Sequence, residues 1–336
     1  KKSILLFDRN SLLSVQAIES IRNFGLIGVY VLEPAEPLPP MTQEDLEFER
    51  FQIKAVSAIE EELDRILKTR KQSRIQTIAD MVIRNYGHLD EKINFYQNLR
   101  SLEDYVSRHS LNVAILCAMI THVMNIRREE QYHTVCAALL HDMGKLKKHE
   151  DVYFGAPYSR EDAIRNCETQ EEAYSVIEDA FATEGPAIRR ICQQAAGKQL
   201  DLFPEEGKES RYKMLEGSNV LLVANRYDEI TAMTLQGTAQ SEVKAAQELL
   251  EHPEVYDPET VQALLRSINI LPPGASVELS TGEKALVLRE NKENVLCPTV
   301  VSFRDNSILD LALPQNEDIQ IVDVMKTMDN RYILKK

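Results

Sequence analysis

The spacing of apolar residues changes along the chain and predicts three regions. In the first region, the short apolar runs Ile4–Phe7 and Ile27–Leu32 are typical of strands, and Leu12–Phe24 between them is typical of a helix. The proline-rich segment Glu33–Pro40 can continue neither element. Beyond it, apolar residues recur at helical steps along one face: Ile53, Val56, Ile59, Leu63 and Ile66. We therefore predict a small N-terminal α+β regulatory module over residues 1–70.

The middle region, residues 71–270, has helical apolar spacing nearly throughout. The strongest helical patterns are Leu102–Met124, Glu130–Leu146 and Tyr212–Met233. More polar patterns predict shorter helices at Ser159–Cys167, Glu171–Phe181 and Ala187–Ala196, followed by a loop over Lys198–Ser210. We expect this region to form an all-helical bundle.

A period of two replaces the helical spacing after Pro272-Pro273-Gly274. Alternating residues predict hairpin strands at Val277/Leu279, Ala285/Val287 and Val295/Cys297, with turns at Thr281-Gly282 and Asn291–Asn294. We expect these strands to close on a last strand at Ile319–Val324. Residues 271–336 are thus predicted to be a small C-terminal β subdomain with a tail, and the fold class to be mainly α.

Composition narrows the classes of function. The chain has 336 residues, with 39 Lys and Arg against 53 Asp and Glu, which gives a net charge of −14. Such a surface repels phosphate backbones and disfavours general nucleic-acid binding, whereas a small anionic ligand in a local basic pocket fits. No apolar run approaches the roughly 18 residues that a membrane span needs. Five scattered cysteines argue against a disulfide framework and favour a reducing, cytoplasmic location.

Residues that can carry chemistry cluster where the second strong helix is expected to end. There His141-Asp142 is followed by Gly144 and Lys145. An imidazole and a carboxylate suit Zn, Mn or Fe, although a His-Asp pair alone is weak evidence. We expect Gly144 to end the helix in a left-handed turn that lets a phosphate approach. Lys145 would then meet the phosphoryl oxygens as a point charge.

Two further residues strengthen this prediction. His109 lies within the preceding helical stretch, and Asp228 lies on an otherwise apolar helix, where an unpaired carboxylate is costly to bury. Taken singly, each has a simpler role: a core or helix-end histidine, and a surface carboxylate or helix cap. One shared metal would explain four residues together: His109, His141, Asp142 and Asp228.

The order of these residues resembles the HD superfamily of metal-dependent phosphohydrolases. The resemblance rests on Arg108-His109-Ser110, on Leu139–Lys145 (LLHDMGK) and on the later aspartate Asp228. Two further segments, Ala224–Thr231 (ANRYDEIT) and the predicted β tail Pro272–Val301, are similar to the HD-GYP branch, the cyclic di-GMP phosphodiesterases. The resemblance spans roughly residues 100–305 and implies a helical bundle that holds a divalent metal.

Other positions of the branch's pattern are replaced in this sequence. Thr169 stands where the branch has a histidine, Gln194-Ala195 where it has two, and Leu202-Phe203-Pro204 where it has Gly-Tyr-Pro. Tyr105 replaces a carboxylate that three-metal variants use one turn before the first histidine. A pair of metals about 3.5–4 Å apart suits attack on a phosphodiester. With these replacements the resemblance implies one metal per chain, Mn or Fe rather than Zn.

Two functions remain open from the sequence. In the first, the chain is a metal-dependent phosphohydrolase of bacterial second-messenger signalling and a candidate cyclic di-GMP phosphodiesterase that acts on a small anionic nucleotide, with Lys145 and Asp142 as catalytic residues. In the second, it is a catalytically inactive HD-GYP-like module that senses a nucleotide or pairs with another signalling protein. The missing histidines favour the second function, and the four ligands with Lys145 slightly favour the first. Front modules of this kind often dimerise, so a homodimer is also among the expectations.

Overall fold

The computed structural model describes most of the chain. The described ranges are residues 16–19, 43–95, 97, 100–147, 159–204, 213–234 and 239–325. The chain divides into two compact units, residues 1–54 with 325–336 and residues 55–324. Of the predicted N-terminal elements, both strands lie outside the described residues, and so does the predicted helix except for residues 16–19, which are helical.

The described helices confirm the helical middle region. Their bounds are α1 (Gln43–Thr69), α2 (Ile75–Tyr86), α3 (Tyr105–Val123), α4 (Arg128–Leu140), α5 (Arg160–Phe181), α6 (Gly185–Gln199), α7 (Glu216–Thr231), α8 (Glu242–Glu251) and α9 (Pro258–Ser267). Short 3-10 helices cover Met143–Lys147, Leu200–Leu202 and Pro314–Asn316. Among the helices described, none is both long enough and apolar enough to cross a membrane.

Helix α1 follows the predicted apolar face. Ile59, Leu63 and Ile66 on that face are fully buried. Between them, the buried carboxylate of Glu62 accepts the backbone N–H of Arg74 at 2.7 Å, just before α2 begins. This contact satisfies a donor that helix geometry leaves free at the N-terminus, so it fixes the start of α2.

Helix α3 lies at the centre of the bundle. It contacts α2, α4, α7 and α9, and nearly all its residues are buried. A helix enclosed on every side is apolar around its whole circumference rather than along one stripe. The few polar side chains on it, including His109 and Asn112, must therefore find partners inside the protein.

The predicted break at residues 168–170 is wrong, because α5 is one continuous helix. Polar residues interrupt the apolar spacing there, yet both Thr169 and Gln170 are buried. Thr169 donates its hydroxyl to the backbone carbonyl one turn earlier at 2.7 Å, and Gln170 accepts the N–H of Gly144 at 2.9 Å. Since both polar groups have partners, the helix continues through them.

The helix predicted to run to Leu146 ends at Leu140 instead. His141 and Asp142 form a turn, and a 3-10 helix, Met143–Lys147, follows. The tighter winding brings the backbone N–H of Lys145 to the carbonyl of Asp142 at 3.0 Å. The chemistry-bearing residues therefore lie on a change of helix type rather than within a regular helix.

The C-terminal β subdomain is one antiparallel sheet. Its strands are β1 (Ser276–Leu279), β2 (Lys284–Arg289), β3 (Thr299–Ser302), β4 (Ile308–Asp310) and β5 (Ile321–Val324), in the order β4-β3-β2-β1-β5. The strand predicted at Val295/Cys297 is wrong. The side chain of Asn291 accepts the N–H groups of Glu293 and Asn294, which folds that segment into turns and moves β3 later. The described chain is mainly α with this small β subdomain, as the sequence predicts.

Candidate metal centre

Two histidines from different helices meet in the core. His109 is on α3, and His141 immediately follows α4, the helix that packs against it. Their Nε2 atoms lie 3.1 Å apart. With Asp142 they form the one group of His, Cys, Asp or Glu side chains in the described ranges whose ligand atoms lie close enough to hold a metal, all within 4.8 Å of one another.

The proton positions of both imidazoles are fixed by their outer nitrogens. His109 Nδ1 donates to Asp228 Oδ2 at 2.6 Å, and His141 Nδ1 donates to the carbonyl of Ala138 at 2.8 Å. Burial lowers the pKa of His141 below its ordinary value, although Asp142 opposes this. Because Nδ1 is the donor in each ring, the two Nε2 atoms face each other, and in a neutral imidazole Nε2 carries the lone pair that binds metals.

Asn225 on α7 adds a third acceptor at the same point. Its Oδ1 lies 2.8 Å from His109 Nε2 and 2.9 Å from His141 Nε2. Its Nδ2 donates to Glu229 Oε1 at 3.0 Å, one turn along the same helix, which turns the carbonyl oxygen toward the imidazoles. Two imidazole nitrogens and one amide oxygen thus meet at one point, and with both rings neutral this donor set fits a metal cation.

Asp142 borders the same point. Its Oδ2 lies 3.5 Å from His109 Nε2, and its Oδ1 lies 3.8 Å from His141 Nε2. Burial works against the charge of this carboxylate, but the ammonium of Lys145, 2.7 Å away, and the histidines hold its pKa well below the usual range. Gln170 donates to Oδ1 at 3.2 Å. Asp142 is therefore available as an anionic ligand beside the imidazoles.

Asp228 is buried close by, but its oxygens have other partners than the sequence predicts. Arg100 donates to both oxygens at 2.7 Å, and His109 Nδ1 lies against Oδ2. Gln97 and Asn112 donate to Oδ1 at 2.9 and 3.0 Å. Although burial disfavours its charge, Arg100 and His109 hold the pKa of Asp228 well below the usual range. The carboxylate thus faces the outer nitrogen of His109 rather than the Nε2 side.

Gly144 is not in the left-handed conformation that the sequence predicts, because its φ is not among the positive values of the chain. A Cβ there would clash with the carbonyl oxygen of Thr169 and would lie 2.6 Å from Oε1 of Gln170. The position needs glycine because α5 approaches the 3-10 helix closely. That approach places Gln170 against Asp142.

Lys145 is enclosed beside a small cavity. Lys145 is 2% exposed. It lines a cavity of about 30 Å³ together with His141, Asp142, Asn225 and Glu229. This volume has room for roughly two water molecules. The ammonium therefore lies where a phosphoryl oxygen or a water next to the metal ligands would meet it.

The positions at which the resemblance to HD-GYP proteins implies replaced histidines have structural roles here. Thr169 hydrogen-bonds within its own helix. Gln194 Oε1 accepts the N–H of Leu215 and the hydroxyl of Ser218, both at 2.9 Å, and so joins α6 to the start of α7. Ala195 is buried and offers no ligand atom. In the part of the chain that the structure describes, these positions supply no second group of metal ligands.

Sequence reasoning missed Asn225, Glu229 and Arg100 as parts of the site. A signal for Asn225 existed, because it precedes Asp228 by three residues and so shares its helix face. For Arg100 there was none, since it lies outside any helix and 128 residues from its partner.

Comparison with known proteins assigns this part of the chain. Residues 106–233 match the family model described as HD domain. This segment is similar to HD domains. It contains His109, His141, Asp142 and Asn225, whereas Arg100 precedes it. The HD family comprises metal-dependent phosphohydrolases, as the resemblance of the sequence implies.

Two other comparisons add little detail about the HD domain. No curated protein matches the chain. Among solved structures, the chain is similar to Bd1817, described as an HDG"Y"P protein from Bdellovibrio bacteriovorus, with 15% identity and a TM-score of 0.42. The likeness covers 64% of this chain and 71% of that one.

Proposed function

We propose that the chain is a metal-dependent phosphohydrolase whose HD domain holds a single divalent metal. The observation that carries the proposal is the convergence of three metal-binding atoms, the Nε2 atoms of His109 and His141 and Oδ1 of Asn225, with the Asp142 carboxylate alongside. With both imidazoles neutral, a metal cation satisfies all of these acceptors at once.

The mixed nitrogen and oxygen donors suit Mn or Fe better than Zn, because no thiolate contributes. A divalent metal at this point supplies Lewis-acid polarisation of a phosphoryl oxygen and a water of lowered pKa. Lys145 holds Asp142 in place and presents positive charge to the developing phosphoryl charge. Lys145 and Asp142 are thus the residues proposed to act at the reacting phosphate.

We assign Asp228 a positioning role in place of direct ligation. Its contact with Nδ1 fixes the tautomer and the ring orientation of His109, and Arg100 fixes Asp228 in turn. Carboxylates that accept the second N–H of a ligating histidine raise its basicity and orient it. Asn225 takes the ligand position that the sequence gives to Asp228.

The substrate class proposed is a small phosphate ester of a nucleotide, with cyclic di-GMP as the first candidate. The net charge of −14 repels a nucleic acid as a whole. The buried ammonium of Lys145 attracts a single phosphoryl group locally. The free cysteines Cys117, Cys136, Cys167, Cys192 and Cys297 support a reducing location, the cytoplasm. We also propose that domain boundaries lie at residues 70 and 270. The chain is further proposed to form a homodimer and to bind another signalling protein.

A second candidate function is a nucleotide-sensing module without turnover. It is favoured by Gln194, whose oxygen is used to join two helices where a second metal ligand would be needed. One metal lacks the clamp that two metals place on a phosphodiester. The two functions share the metal centre and differ in whether a bound ester is hydrolysed.

The experiment is hydrolysis of cyclic di-GMP and of GMP by anaerobically purified protein with Mn²⁺, alongside Asp142→Ala. The proposed enzyme turns over at least one ester, and the variant loses at least 100-fold in rate. As a matched control, Asp90→Asn removes an exposed carboxylate that also pairs with a histidine, and it leaves the rate unchanged. If Mn²⁺ binds the parent without turnover of either ester, the sensing module is supported instead.

A further inference from the structure

Each carboxylate around the metal centre is already paired with a cation of the protein. The N–O distances are 2.7 Å for Lys145–Asp142, 2.7 Å for Arg100–Asp228 and 3.7 Å for Arg226–Glu229. All six residues are buried. Arg226 lies closer to the partly exposed Glu248, at 2.6 Å, so this carboxylate shares Arg226 with Glu229 and adds one negative charge at the edge of the group.

The remaining ligands carry no charge. His109 and His141 bind metals as neutral imidazoles, and Asn225 offers an amide oxygen. The amide faces the centre because Glu229 accepts its N–H. Three cations against four carboxylates, Glu248 included, therefore leave about one negative charge around a point that would carry two positive charges, and an uncompensated buried charge is unfavourable.

We propose that this centre binds a divalent metal and a phosphate-bearing anion cooperatively, the anion supplying the negative charge that the side chains lack. The inference rests on the proposed metal centre and deepens it. Lys145 lines the cavity beside Asp142, which gives the anion a second positive contact. The ligand is a small phosphoryl anion. Because Asn225 is uncharged, we expect the affinity for the metal to depend on this anion.

The test is Mn²⁺ affinity, measured by electron paramagnetic resonance of free Mn²⁺, with and without inorganic phosphate and corrected for Mn²⁺–phosphate complexes. In the parent, saturating phosphate tightens Mn²⁺ binding at least tenfold. Linkage requires Mn²⁺ to tighten phosphate binding by the same factor. Asn225→Asp adds the missing charge, so it tightens Mn²⁺ binding without phosphate at least tenfold and reduces the phosphate effect to less than threefold.

Asn225→Ala is the matched control, because it removes the oxygen without adding charge. It weakens Mn²⁺ binding but keeps the phosphate effect. Far-ultraviolet circular dichroism and thermal unfolding confirm that each variant is folded. Tight Mn²⁺ binding in the parent with no effect of phosphate overturns the cooperative site and leaves the metal centre standing. Failure of the folded parent and of Asn225→Asp to bind Mn²⁺ under either condition overturns both.

Discussion

Arg100 donates to both carboxylate oxygens of Asp228 at 2.7 Å, and the two side chains are 1% and 0% exposed. The pair links a non-helical segment before α3 to the last turn of α7. Since Asp228 also contacts His109 Nδ1, the pair determines the orientation of a proposed metal ligand without facing the metal itself.

We predict that Arg100→Met strongly destabilises the protein. It leaves the Asp228 carboxylate buried without its main cation, a loss of about 3–5 kcal/mol in the free energy of unfolding. Urea denaturation followed by circular dichroism measures it. Arg100→Met combined with Asp228→Asn removes the unpaired charge and recovers part of the loss. A double variant as unstable as the sum of the single ones would show that the pair is not coupled.

Asp228→Asn is expected to weaken Mn²⁺ binding by about 10–100-fold, because His109 loses the partner that fixes its tautomer. Isothermal titration calorimetry measures the affinity. Asp90→Asn is the matched control, since Asp90 pairs with His122 at the surface and its removal leaves the affinity unchanged. Equal effects of the two variants would contradict the positioning role.

Gly144→Ala is predicted to destabilise the protein by about 1–3 kcal/mol, because the added methyl group meets the backbone of α5. The same shift separates Gln170 from Asp142, so Mn²⁺ binding weakens as well. Gly282→Ala is the comparison: its Cβ has open space, and its cost comes from the positive φ of that turn alone. Thermal unfolding and Mn²⁺ titration of both variants separate the two causes, and retention of Mn²⁺ affinity in Gly144→Ala would argue against the coupling.

Metal binding should stabilise the folded chain by mass action. At a free Mn²⁺ concentration of about 100 times the dissociation constant, the gain is about 2.7 kcal/mol, and the melting temperature rises accordingly. His141→Ala removes one imidazole and should abolish the rise. Differential scanning calorimetry with and without Mn²⁺ measures this, and an equal rise in parent and variant would place the ion elsewhere.

Cysteine reactivity should be low in the folded protein. Burial raises the pKa of Cys136 to about 12 and the pKa of Cys167 to about 11, so few thiolates are present at neutral pH. Labelling with iodoacetamide at pH 8 followed by mass spectrometry should modify neither residue in the native state within minutes. In denaturant both thiols react, which serves as the control. Rapid labelling of Cys136 in the native protein would contradict its burial.

Much of the architecture could be predicted from spacing alone. The helical period over residues 71–270 and the period of two after it identified the bundle and the β subdomain, because apolar periodicity follows directly from which face each element buries. The proximity of His109 to His141-Asp142 could also be predicted, because histidines and an aspartate in this order are typical of a shared metal site. The continuation of α5 through Thr169 was not, because a buried polar residue becomes acceptable only through partners elsewhere in the chain.

The roles proposed at the candidate metal centre depend on the tertiary structure. In the sequence, Asp228 is the better ligand by charge, and Asn225 is one polar residue among several. Packing α7 against α3 turns Asn225 toward both imidazoles and places the Asp228 carboxylate against the guanidinium of Arg100. The sequence by itself determined the helical bundle and its histidines, whereas the choice between an amide and a carboxylate required the positions of partners more than 100 residues apart, which no local pattern encodes.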